Sequence, residues 1–124
     1  MKRIALAAAA MILAGCQSTP APTTRAFDAD AAHALYTRLT DLVKSCWFAG
    51  DPAFTDYNYS PEINANAPRI LIVAKANPHD RPLLVVEPRT AATADVYGPL
   101  LGGPAAARVR ADLDRWLKGA STCS

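Results

Sequence analysis

Histidine is nearly missing from this chain: His33 and His79 are the only two in 124 residues. No His-Glu-x-x-His pair, Gly-x-Ser-x-Gly elbow or glycine-rich phosphate loop appears. Those absences remove the usual sequence signatures of a zinc hydrolase, a serine hydrolase and a nucleotide-binding site. Cysteine is scarce, at three residues, and none has a second Cys or His at metal-ligand spacing. Nothing in the sequence calls for a metal or a cofactor. No apolar run reaches the ~20 residues that a membrane-spanning helix needs. Excess charge is lacking too. The chain holds 13 Lys+Arg against 11 Asp+Glu, and Lys2 and Arg3 account for the whole difference. Residues 16–124 therefore carry no net charge, which excludes the basic footprint of a nucleic-acid-binding domain.

The N-terminus has a clear pattern. Lys2 and Arg3 are followed by the apolar stretch Ile4–Leu13, then by the small residues Ala14 and Gly15, then by Cys16. A charged start, a short apolar stretch and a small-residue cleavage site predict a secretory signal. With Leu13-Ala14-Gly15-Cys16 the chain resembles the bacterial lipoprotein class. The resemblance implies cleavage before Cys16, lipid on the Cys16 sulfur and acylation of the new N-terminus. Each buried lipid methylene contributes ~0.8 kcal/mol, so two or three acyl chains would hold the product on a membrane. Gln17 stands where inner-membrane members of that class carry Asp, so the resemblance implies the outer membrane, facing the periplasm. The expected division is a signal peptide over 1–15, a lipidated cysteine and flexible tether over 16–27, and a single domain over 28–124. The tether prediction rests on Pro20 and Pro22 and on the lack of any apolar period.

With Cys16 taken by lipid, Cys46 and Cys123 remain as an even pair in an exported chain. A disulfide between them is the expectation, since such bonds persist in oxidising compartments. Two free thiols are the alternative.

The pattern from Asp28 onward predicts a helix, about four strands and a second helix. Asp28 reads as an N-cap. Ala32, Leu35, Tyr36, Leu39, Leu42, Val43 and Cys46 recur at three- and four-residue steps. Strands are expected over 54–59, 69–75, 83–87 and 90–97, with a loop over 60–68 and a tight turn over 77–82. The second helix is expected to start with Pro104 at its first position and to end at Gly119. Its apolar stripe is Ala106, Val109, Leu113, Trp116, Leu117 and Ala120; Arg108, Arg110, Asp112, Asp114 and Arg115 are assigned to its solvent face. The expected fold class is α+β: helix, antiparallel sheet of about four strands, helix, with both helices on one sheet face.

Candidate functional residues are few. His79 and Asp80 adjoin in the turn and, with Glu87, offer acid–base groups for a small hydrolase; a turn also uses such residues for local hydrogen bonds. Trp47, Phe48, Phe54, Tyr57 and Tyr59 form an aromatic group, with Tyr57 and Tyr59 the better candidates for an exposed binding surface. Arg69, Arg81 and Arg89 flank the hairpin strands and read either as an anion patch or as edge charges. The stretch Cys46–Phe54, then Tyr57, Pro61-Glu62 and Arg69–Val73, is similar to small uncharacterised lipoproteins of alphaproteobacteria, a likeness that implies no activity. The expected function is a non-enzymatic envelope module, binding or structural, tied to the membrane through Cys16, with an envelope protein or cell-wall material as its partner.

Overall fold

A computed structural model describes residues 26–63 and 67–124. The signal peptide, the lipidation motif with Cys16 and all but the last two residues of the tether lie outside the described residues.

Helix α1 spans Ala29–Cys46. Asp28 caps it, its Oδ1 accepting the Ala31 N–H at 3.1 Å. Asp30 in the first turn and Lys44 in the last suit the helix dipole. Its buried stripe is the seven-residue set expected from spacing. Four strands follow: β1 Tyr57–Glu62, β2 Arg69–Ala74, β3 Leu84–Pro88 and β4 Ala94–Tyr97. They pair antiparallel in the order β1-β2-β3-β4. Helix α2 spans Ala106–Leu117.

The register sorts the sheet into two faces. Ile70 opposes Val86, and Ile72 opposes Leu84; all four are fully buried. These residues meet the stripes of both helices in one core cluster, with Leu39 and Val43 from α1 and Val109, Leu113 and Trp116 from α2. The fold is thus the α+β arrangement that the order of patterns predicts. β2 occupies a central position, which accounts for its unbroken apolar run.

Several boundaries differ from expectation, those of β1 and β4 for local reasons. Phe54 is not in a strand. Asp51 accepts the Ala53 N–H at 2.9 Å, and Pro52 pre-sets the backbone, so Pro52–Phe54 forms a 3-10 turn that drops Phe54 into the core. The strand then starts at Tyr57 and continues through Ser60-Pro61-Glu62, where a loop was expected. Pro61 is tolerated because β1 is an edge strand, where a missing donor breaks no interior ladder. The strand expected over 90–97 keeps only its last four residues, because Thr93 O accepts N–H bonds from Arg89 and Thr90 and closes a turn. Pro104 lies two residues ahead of α2 rather than at its first position.

A second 3-10 turn, Pro99–Gly102, buries Leu100 and leads from β4 to α2. Gly98 before it has φ +138°, and a Cβ there would sit 2.4 Å from Leu83 O and 2.9 Å from Leu84 Cα. Both neighbours are backbone, so neither yields cheaply. Gly98→Ala is expected to lose about 2 kcal/mol of stability, read as a lower chemical-denaturation midpoint. An unchanged midpoint would mean that the turn can be re-routed.

Cys46 and Cys123 form a disulfide across 77 positions, with Cα atoms 5.1 Å apart. It fastens the C-terminal tail to the end of α1. Gly119, at φ +102°, lets the chain leave α2 and turn back toward Cys46.

Candidate functional site

The aromatic group is mostly core. Trp47 is fully buried and stacks on Phe54, with centroids 4.8 Å apart and rings 8° from parallel. Trp116 also packs on Trp47, tilted, with centroids 5.2 Å apart. Tyr57 and Tyr59, expected at an exposed surface, instead stand half-buried on the helix-covered face of β1. Tyr59 leans on Phe48 at 5.5 Å, and Tyr57 meets the edge of Phe54 at 6.3 Å. The physical reason is alternation: Tyr57 and Tyr59 pair with Ala74 and Ile72, which face the core.

At the edge of the sheet these rings do not close over completely. They line an open cleft of about 490 Å³ between the end of α1, the Pro52–Phe54 turn and β1. Phe48, Tyr57 and Tyr59 form its apolar wall, and Asp51, Thr55 and Lys75 its polar rim. The Lys75 ammonium donates to Thr55 O at 2.7 Å. The volume falls within the range of small-ligand sites.

The cleft is braced by a buried polar network centred on Asp112, a residue whose charge alone assigns it to the solvent face of α2. Asp112 is 2% exposed. Its Oδ2 accepts from Trp47 Nε1 at 2.8 Å and from Arg108 Nε at 2.7 Å, and its Oδ1 accepts from Arg115 at 2.5 Å. Arg108 also reaches Asp51 Oδ2 at 2.9 Å. Burial alone would push the Asp112 carboxyl up; the donors of Trp47, Arg108 and Arg115 outweigh it and hold the group below its ordinary value. A signal for this was present. Asp112 lies three residues after Val109 and four before Trp116, inside the apolar stripe. Arg115 continues the network to the tail, donating to Thr122 O and Cys123 O at 3.2 Å each.

The other candidates do not converge. His79 and Asp80 sit in an exposed turn, where Asp80 Oδ1 accepts the Arg81 N–H at 2.9 Å. Glu87 is at the opposite end of β3, three residues beyond Leu84, or about 10 Å of strand. There it lies 3.4 Å from Arg89. Arg69 and Arg89 are engaged in cross-strand pairs, with Glu62 and with Asp95 respectively, at 2.7 Å. The bond to Glu62 holds the Arg69 guanidinium above its ordinary value. Arg81 lies at the other end of the sheet from both, so no three-arginine patch forms. The ordinary role of cross-strand and edge charges describes Arg69 and Arg89.

Among the described residues no group of His, Cys, Asp and Glu is arranged to hold a metal ion, and no helix is long and apolar enough to cross a membrane. No protein-family model, curated protein or solved structure matches this chain.

Proposed function

We propose that this chain is a lipid-anchored envelope protein whose folded domain binds a ligand in the cleft beside β1. The observation that carries the reading is the Cys46–Cys123 bond. It uses two of the three cysteines and leaves Cys16, behind a signal-like segment, as the remaining thiol. A structural disulfide in a single small domain suits an exported protein. Lipid on Cys16 then holds the domain beside the bilayer, at the outer membrane facing the periplasm as Gln17 suggests. Binding is favoured over hydrolysis by the place of Glu87, far along β3 from His79 and Asp80 and next to Arg89. General acid–base work needs its groups within hydrogen-bond reach. The cleft offers the converging rings and polar rim that small-ligand recognition uses.

Cys16→Ser tests the anchor. The parent chain is expected in the membrane fraction, with an intact mass that includes acyl chains and falls short of the reduced form by two hydrogens. The serine variant is expected in the aqueous fraction, without acyl mass. Equal membrane retention of the two would overturn the reading.

A further inference from the structure

We propose that the cleft takes an acidic sugar unit of a glycan, seated on the Tyr57, Tyr59 and Phe48 rings with its carboxylate on Lys75. The proposal rests on the binding reading above and names the ligand class for that same site.

Charge selects an anion. The cleft holds one carboxylate and one ammonium. Asp51 is already satisfied, with Oδ2 on Arg108 at 2.9 Å and Oδ1 on the Ala53 N–H at 2.9 Å. Lys75 is not. It gives one hydrogen to the neutral Thr55 carbonyl, and among the described residues it pairs with no carboxylate. Two of its three donors remain for a ligand. An exposed ammonium at the rim of an aromatic wall fits a carboxylate that arrives attached to a ring.

The polar content of the wall selects a sugar over an aromatic acid. Among the described residues neither the Tyr57 nor the Tyr59 hydroxyl has a hydrogen-bond partner. Thr55 also lines the rim, its backbone carbonyl accepting from Lys75. A flat aromatic ligand would cover these groups and leave them unpaired, at a free-energy cost for each one desolvated. A pyranose ring has an apolar C–H face to lay against the rings and equatorial hydroxyls to meet the phenols. The cleft is also open to solvent at the sheet edge, so a chain of sugars can run out of it.

The scaffold is pre-organised for this use. Tyr57 and Tyr59 are fixed by pairing to β2. Phe48 is held between Phe54 and Tyr59, at 5.8 and 5.5 Å. The Asp51 corner is tied through Arg108 to buried Asp112. Little ordering remains for a ligand to impose, which favours affinity.

The test uses the full chain in detergent and three probes: an oligomer of glucuronic acid, the matching neutral glucose oligomer and N-acetyltryptophan. Calorimetry gives the affinity, and ligand-observed saturation-transfer NMR reports which protons touch the protein. The acidic oligomer is expected to bind at least tenfold tighter than the neutral one. Lys75→Gln, a change at an exposed side chain, is expected to weaken the acidic oligomer about tenfold and leave the neutral one unchanged. Tyr59→Phe keeps the ring and is expected to weaken both oligomers about threefold. Equal binding of acidic and neutral oligomers, or an unaltered affinity in Lys75→Gln, overturns the proposal. Binding of N-acetyltryptophan alone also overturns it, while leaving the cleft a binding site for carboxylate-bearing peptide ends. If no probe binds, both the ligand class and the cleft as binding site fall; the anchor is judged separately by Cys16→Ser.

Discussion

Reducing the Cys46–Cys123 bond is expected to lower the unfolding free energy by about 4.5 kcal/mol, because the bond closes a loop of 77 positions in the unfolded chain. Small domains have only about 5–15 kcal/mol in total, so the reduced protein should be close to its unfolding threshold. The bond acts on the folded side as well. The tail it holds supplies Thr122 O to Trp116 Nε1 at 2.9 Å and Ala120 O to Arg38 at 3.4 Å. Urea unfolding with and without reductant gives the difference, and the Cys46→Ser/Cys123→Ser double variant is the control. A loss below about 1 kcal/mol would mean that the loop-entropy account fails here and that the unfolded state is already compact.

Asp112→Ala is expected to cost about 3–4 kcal/mol, since it removes one acceptor from three donors at once. Trp47 Nε1 is the worst affected. Its indole is fully buried and packs on Phe54 and Trp116. Arg108 and Arg115 are about a third exposed and can rehydrate in part, which keeps the figure from rising further. The same group sets an acid limit. Its folded-state pKa lies below the ordinary 3.8. A depressed carboxyl contributes stability that is fully present above its unfolded value and is lost as pH falls through its folded value. Thermal midpoints of the parent chain should therefore hold steady above pH ~4 and drop below it. In Asp112→Asn that drop should be smaller. An equal acid slope in both proteins would assign the loss to other carboxylates.

Much of the architecture was legible because the two amphipathic helices carry strong periods. The α1 stripe from Ala32 to Cys46 is buried as its spacing demands. The strand over Arg69–Ala74 was equally plain, being a run of branched apolar residues between turns. What stayed hidden depended on partners distant in sequence. Asp112 falls inside the apolar stripe, yet sequence does not reveal its partner: Trp47, 65 positions away, points a donor at it. Pro61 argued for a loop, and only the edge position of β1 makes it a strand residue. The cleft was half visible. Tyr57 and Tyr59 were singled out as an alternating pair, but Asp51 and Lys75 reach the same corner through a capping bond and a turn that composition alone does not encode.

The bridge between the end of the first helix and the chain terminus also fixes how the molecule carries load. Tension applied between the residues before Asp28 and the last residue travels along α1 to Cys46 and crosses the sulfur–sulfur link to Cys123. The sheet, both 3-10 turns and α2 lie on a covalent side loop that such a pull does not stretch. Only α1 lies on the loaded path, so a pull on the tethered chain is met first by the helix whose apolar stripe packs the core.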